Sequence, residues 1–405
     1  MKSGVLNRVV VVAALGTFVD VLDLTLFQNL RVQSLTELGV PGHALFGTGV
    51  TILDTQLAGM FLGGLAWGWL ADRRGRKAVL FASILVYSLA TLASAVVDSV
   101  PQYTLARFLC GFGLAGEFGA GVALISEILP PATRGYGTTL CAAFGLSGAL
   151  AGGILALAVG WRTAYVIGGL AGLLLLLLRA RSFESGIYEK SHRRTELRRG
   201  LRGLFATRAL VSRYLASLAI ALPLFFVILA IVPFAPELAA SLDPPLAVSV
   251  PAATSLAAAG LVMGDVVTGL ASQRLRSRKR PIRYSIFAIV ATLVVLLLGL
   301  FPSRPLFLAL FFVAGLAAGY MVLFVTNVAE QFGTNVRGSA TVLAPNAMRL
   351  GVIPMTLALD ALQPRIGFRN GALVVGTICV GLALGALRVL PETFGRDLDF
   401  DESTR

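Results

Sequence analysis

Charge is what this 405-residue sequence has least of: Asp, Glu, Lys and Arg together make up 14% of it. A water-soluble domain carries about a quarter, so this chain lacks the polar surface to clothe a water-facing globule of its length. Histidine occurs twice, at His43 and His192, and cysteine three times, at Cys110, Cys141 and Cys379. Histidines confined to loops and cysteines scattered through apolar runs exclude a Cys/His metal site and a disulfide framework. The cysteines read as small buried hydrophobes. No nucleophile–base or metal constellation can be assembled, so the chain is not expected to be an enzyme and implies no cofactor. Period-two alternation is missing as well, which excludes a membrane β-barrel.

Apolar sequence fills the space. Hydrophobic residues make up 56% and mean hydropathy is +0.82. A helix crosses hydrocarbon with roughly 20 predominantly apolar residues. About twelve such runs follow one another, near 8–31, 44–70, 78–97, 102–128, 136–159, 163–179, 212–238, 248–272, 284–302, 306–331, 338–362 and 370–390. The sequence predicts an all-α polytopic membrane protein of about twelve transmembrane helices. Its first run is too long and too acidic for a cleaved leader and is expected to remain as the first span.

Basic residues outnumber acidic ones by 34 to 21. They concentrate at 72–77, 179–213 and 274–283, segments that alternate in the order needed to share one side. The positive-inside rule then puts both termini and the basic loops in the cytoplasm, with the chain multi-pass in the plasma (inner) membrane. A net charge of +13 suits an anionic leaflet. Spread over separate loops, it makes no nucleic-acid footprint.

Three echoes divide the chain. SEILPPATRGYGTTL (126–140) and AEQFGTNVRGSATVL (329–343) each carry Glu, then Arg and Gly, as Glu127–Arg134–Gly135 and Glu330–Arg337–Gly338, 203 residues apart. GWLADRRGRK (68–77) has a degraded partner in GLASQRLRSRK (269–279), and SFESG (182–186) one in PETFG (391–395). The expected organisation is two pseudo-symmetric six-helix bundles, 1–180 and 212–390, with a cytoplasmic linker at 181–211 and a tail at 391–405. Parallel repeats of this kind build one class of secondary transporter, with the binding site between the halves near the membrane midplane.

GWLADRRGRK resembles the loop signature of the major facilitator superfamily, between its second and third helices, and ARFLCGFGLAGEFG (106–119) resembles the Arg-and-glycine fourth helix of that family. The Glu-x6-Arg pairs and PETFGRDLDF (391–400) are similar to the sugar-porter and metabolite–proton symporter branches. Asp20 and Asp23 resemble the paired acids of aromatic-acid–proton symporters. The seventh run, ALPLFFVILAIVPFAPELA (221–239), lacks the Gln-Gln and Asn pattern of sugar porters, and Ala149 stands where drug–proton antiporters carry proline. The resemblance implies a monomeric secondary carrier.

Charges inside the spans carry the functional reading, since a mid-membrane Asp, Lys or Arg costs roughly 2.5–3.5 kcal/mol on insertion scales and lines a cavity or pairs. Asp20 and Asp23 share a helix face. Two close carboxylates resist joint ionisation, so one can hold and release a proton, unless each is simply paired with a base. Glu117 joins them as a proton-coupling candidate, or is a buried acid bonded to backbone. Arg107 lies about 15 Å from Glu117 along the helix and is expected to face Asp20 or Asp23. Arg349, beside Asn346, either pairs with an acid or receives an anionic solute through its planar fork. Tyr320 and Asn327 can offer neutral hydrogen bonds, and Phe225 and Phe226 can wall a cavity or simply pack.

A cytoplasmic gate is expected from Gly68, Asp72, Arg76, Glu127, Arg134, Glu330 and Arg337. Gly68 would allow close helix approach, Arg76 would reach Glu127, and Arg134 would reach Asp72 or the tail acid Glu392. Asp54 and Asp265 have open roles. The predicted function is secondary active transport of a small polar or anionic metabolite by alternating access, as proton-coupled symport driven by the proton gradient. Facilitative uniport and antiport are the alternatives; an ion channel would show a filter loop or a multi-subunit ring. The expected partners are a small-molecule solute and the lipid bilayer.

Overall fold

In the computed structural model the backbone is described at residues 8–74, 76–128, 131–184, 203–300, 303–395 and 402; side chains are described over the same range except at 8–10, 12–13, 71–72, 76–77, 117–143, 181–184, 335 and 342. No strand occurs among the described residues. Among the described residues seven stretches are long and apolar enough to cross a membrane, with shorter apolar helices at Ala78–Ser94 and Phe144–Ala158. Helices follow the order of the apolar runs. Contacts divide the chain into two compact units, Met1–His192 with Val250–Ser255, and Arg193–Ser249 with Leu256–Arg405.

The first unit holds α1 (Arg8–Glu37), α2 (Leu45–Arg74), α3 (Arg76–Ser94), α4 (Val100–Ile128), α5 (Pro131–Ala158) and α6 (Trp161–Glu184). Here α1 packs chiefly on α5, α2 on α4, and α3 on α4 and α6. Lipid tails are as apolar as leucine, so close backbone contact rather than apolar burial holds such helices together. The α2–α4 seam shows it: a Cβ at Gly59 would lie 2.3 Å from the Phe108 carbonyl oxygen, and one at Gly111 would lie 2.1 Å from that of Gln56. At one end of the bundle the Trp161 indole and the Arg162 guanidinium both donate to Glu37, at 2.6 and 3.2 Å, tying α6 to α1.

The second unit is less regular. The seventh run, expected as one helix, is broken into α7 (Arg208–Ala219), α8 (Leu222–Phe225), a π-helical turn (Phe226–Ile231), a 3-10 turn (Val232–Phe234) and α9 (Ala235–Ala240). Pro223, Pro233 and Pro236 each remove a backbone donor along it, which explains the interruptions. Next come α10 (Val250–Leu275) and α11 (Lys279–Leu298). The tenth run also breaks, into α12 (Arg304–Ala318) and α13 (Met321–Gln331) around Gly319 and Tyr320. Finally α14 (Thr334–Val389) turns at Gly367, whose φ of 78° and ψ of 160° separate a 334–366 arm from a 368–389 arm. Only glycine takes that conformation without strain.

The α10–α12 seam repeats the α2–α4 seam. A Cβ at Gly260 would lie 2.0 Å from the Phe312 oxygen, and one at Gly315 would lie 2.0 Å from the Ala257 oxygen. These glycines match Gly59 and Gly111 at nearly the offset of the loop motifs. Gly68, by contrast, meets no atom within 4 Å among the described residues. Among the described residues, close approach on α2 sits at Gly59 and Gly63.

Adding a methyl at either seam forces two backbones apart. Gly111→Ala and Gly315→Ala should each cost about 1–3 kcal/mol or more, read as a fall in melting temperature in detergent. Gly269→Ala, at a site with nothing within 4 Å among the described residues, should leave it unchanged or raise it.

Candidate functional site

In the first unit four helices converge on Asp23, which is 1% exposed on α1. Thr91 of α3 aims its hydroxyl at both carboxylate oxygens, 2.8 Å from each. Cys110 of α4 places its thiol 2.9 Å from Oδ2. Arg107, one turn earlier on α4, brings Nη1 to 3.9 Å from Oδ1. The rest of that guanidinium is engaged elsewhere: Nε and Nη2 donate to Ser94 Oγ at 3.1 and 2.6 Å. Its carbon sits 4.7 Å over the Tyr165 ring of α6. Tyr165 shares a hydrogen bond with Tyr103, which shares another with Ser34.

Chemically this is a carboxylate held by two neutral donors and one loosely engaged cation. A guanidinium divided between Ser94 and Asp23 can tighten on the acid when it is ionised and relax onto Ser94 when it is neutral. The expectation that Arg107 faces Asp20 or Asp23 resolves to Asp23. Asp20 is also buried on α1, at 5% exposure.

Sequence reasoning passed over several residues. Thr91 and Cys110 carry no charge and look like ordinary span residues. Arg31, 1% exposed on α1, packs so near α2 that a Cβ at Gly49 would lie 3.2 Å from its Cδ and Nη1. The buried amides Gln28, Asn29 and Gln56 each keep at least one nitrogen without a hydrogen-bond partner among the described residues. A charge or amide inside an apolar run was the available signal for these four.

In the second unit, Arg349 is buried on the first arm of α14 and donates to Asn346 Oδ1 at 3.0 Å. Phe225 is buried at the α8–π junction. Tyr320, expected to offer a neutral hydrogen bond, donates its hydroxyl to the Ile220 carbonyl at 3.0 Å. Backbone freed by the α12–α13 break explains the local design. Asp265 accepts from the Val322 N–H at 3.1 Å, and Thr268 donates to the Gly319 oxygen at 2.6 Å. Asp265 thus caps a half-helix from a neighbouring element.

A polar cluster closes one end of this unit. Arg278 donates to both oxygens of Glu330, with Nη2 at 2.8 Å. Thr393 donates to Glu330 at 2.8 Å, and Asn327 points its amide at Thr393 at 3.4 Å. Asn327, expected to offer hydrogen bonds to cargo, therefore has its nitrogen turned toward this cluster. Glu392 accepts from the Ser277 hydroxyl and from the Arg278 and Thr393 N–H groups. Burial works against its ionised form, but bonds from Ser277 and from the Arg278, Phe394 and Lys279 N–H groups outweigh that and hold its carboxyl below the ordinary range. Arg337 donates to the Phe332 carbonyl at 3.1 Å. The sequence singled out Glu330 but not Arg278, its partner. The side chains of Asp72, Arg76, Glu117, Glu127 and Arg134 lie outside the described residues, as does the loop residue Gly75. Among the described residues no group of three His, Cys, Asp or Glu could hold a metal ion.

Residues 13–355 match the family model described as Major Facilitator Superfamily. The chain is 36% identical over 138 residues to the niacin transporter NiaP of Acinetobacter baylyi, covering 33% of this chain and only 31% of that one. It is 28% identical over 345 residues to a probable 4-methylmuconolactone transporter of Cupriavidus pinatubonensis, covering 82% of this chain and 79% of the relative. Among solved structures it superimposes on a D-xylose–proton symporter with a TM-score of 0.73 at 19% identity, covering 96% and 99% of the two chains.

Removing one member of a buried pair leaves the other uncompensated. Arg107→Gln should lower stability by about 3–5 kcal/mol; adding Asp23→Asn should recover part of that loss, as a thermal melt of the purified protein would show. At the other site, the Glu392 bonds contribute stability that is complete above the carboxyl's ordinary pKa and is lost as pH falls through its depressed value. Ser277→Ala should therefore shift the acid limb of a pH–melting profile upward.

Proposed function

The chain belongs to the major facilitator superfamily, and from that premise we propose that it carries a small organic anion across the inner membrane by alternating access, in symport with protons. Two six-helix halves, 1–180 and 212–390, joined by the 181–211 segment, make twelve spans in this reading, with both termini in the cytoplasm. The observation that carries the proton claim is the Asp23 environment. A carboxylate at 1% exposure, with Thr91, Cys110 and Arg107 around it, has a defined home in both charge states. Thr91 and Cys110 donate to the ionised form. Protonation cancels the attraction to Arg107, and Ser94 already accepts two of that guanidinium's donors. The proton gradient is the energy source and no cofactor is required.

The cargo reading rests on the relatives and on the polar inventory. Niacin and 4-methylmuconolactone, named for the two relatives, are both small ring compounds bearing a carboxyl group. Arg349 with Asn346 supplies a cation and an amide for such a group. Gln28, Asn29 and Gln56 supply hydrogen-bonding positions not taken up among the described residues. Asp20 is the second proton-coupling candidate and Phe225 a cavity wall. Tyr320 and Asn327 stay in the cargo set as acceptors, since the Tyr320 hydroxyl donates to Ile220 and the Asn327 nitrogen turns toward Thr393 while the Asn327 Oδ1 has no partner among the described residues. The gate in the second half consists of Glu330, Arg278 and Glu392, with Arg337 nearby. In the first half it consists of Asp72, Arg76, Glu127 and Arg134.

Proteoliposomes loaded at neutral pH and placed in acidic medium should accumulate a radiolabelled aromatic or lactone carboxylate above equilibrium. Collapse of the pH gradient with a protonophore should abolish the accumulation. Asp23→Asn should lose gradient-driven uptake by a factor of about 10² yet keep substrate counterflow. Wild-type uptake indifferent to the gradient would remove the symport claim, and absence of counterflow with every carboxylate tried would remove the cargo claim.

A further inference from the structure

The turn between α10 and α11 carries a cluster of positive charge, part of which has no partner among the described residues. It frames an open cleft of about 430 Å³ whose lining includes Leu275, Arg276, Lys279, Arg280, Arg283 and Glu392. Two of these charges are spoken for. Glu392 is engaged by Ser277 and by the N–H groups of Arg278 and Thr393, and Lys279 donates its Nζ to the Leu390 carbonyl at 2.7 Å. The side chains of Arg276, Arg280 and Arg283 have no hydrogen-bond or ion-pair partner among the described residues, and all three residues are exposed. Arg276 also holds a left-handed backbone, φ 45° and ψ 44°, the one non-glycine residue with positive φ among those described. Glycine is the usual occupant of that position after a helix.

What lies beneath these cations selects the partner. One turn along α11 from Arg280 and Arg283 stand Tyr284, 58% exposed, and Phe287, 52% exposed. On α10, Leu270 is 57% exposed and Leu275 37%. Residues spaced by three and four share a helix face, so the arginines crown an apolar stripe on α11 that faces outward from its unit. A soluble polyanion has no use for the stripe, and a zwitterionic lipid gains little from three exposed guanidinium groups. We propose that this cleft is a binding site for an anionic phospholipid. Its phosphate is received by the forks of Arg276, Arg280 and Arg283, which suit phosphate oxygens in bidentate geometry, and its acyl chains lie along Tyr284 and Phe287. The site is separate from the carboxylate and cargo positions and does not depend on what is transported.

The test uses the purified full-length chain in nanodiscs of phosphatidylcholine doped with increasing phosphatidylglycerol. The melting temperature should rise saturably with phosphatidylglycerol. In Arg276→Gln/Arg280→Gln/Arg283→Gln the half-saturating lipid fraction should increase at least about tenfold, in keeping with the contribution of each basic residue near an anionic surface. Arg208→Gln, one charge removed from a different element, should leave it unchanged. Inorganic phosphate added to phosphatidylcholine nanodiscs should not reproduce the rise. If the triple variant does not fold, a photoactivatable phosphatidylglycerol on the wild type replaces it, with cross-links expected within 276–287. An equal rise in the triple variant, a full effect from inorganic phosphate, or cross-links confined to other segments would each overturn the proposal.

Discussion

A carboxylate and a guanidinium inside an apolar bundle must satisfy one another or be satisfied by neutral donors, and the first unit is organised around that demand. Asp23 and Arg107 come from different helices, and neither could be buried without the residues that surround them. Thr91, Cys110, Ser94 and Tyr165 bring α3, α4 and α6 to the same point. The glycine seam between α2 and α4 belongs to the same design, because it is the closeness of backbones, and not hydrophobic contrast with the lipid, that fixes α4 where Arg107 is needed.

The second unit meets a related demand in its backbone. A break in a span frees peptide groups that lipid cannot hydrogen-bond. At the α12–α13 break those groups are taken by side chains one turn apart on α10, Asp265 and Thr268. Irregular backbone is thereby confined to places where protein surrounds it. Such interruptions are where transporters of known architecture put their binding groups, and in this unit they come from the same runs that supplied several of the candidate residues.

Much of this was legible in the sequence, and for identifiable reasons. Apolar runs and basic loops report the solvent directly, so the helical membrane architecture could be read from them. Asp23 and Arg107 were legible because charge in an apolar run is conspicuous. Thr91 and Cys110 were not, since a hydroxyl or thiol costs little to insert and leaves no mark in composition. The seventh and tenth runs are as apolar as their neighbours, so their breaks could be found only through the prolines and through Gly319, whose neighbours on α10 no sequence pattern reveals. Arg278 was hidden in a stretch that looks like any topology-setting loop; its bond to Glu330 depends on a turn geometry that charge counting does not encode.

The hydroxyl of Tyr320 joins two interruptions of the second unit. Tyr320 is the residue just before α13, at the interruption of the tenth run, and Ile220, whose carbonyl it meets at 3.0 Å, lies between α7 and α8 at the interruption of the seventh. Two joints that sequence places a hundred residues apart are therefore pinned to each other. Bending either joint alone stretches that bond, so the bond ties the geometry of one elbow to that of the other.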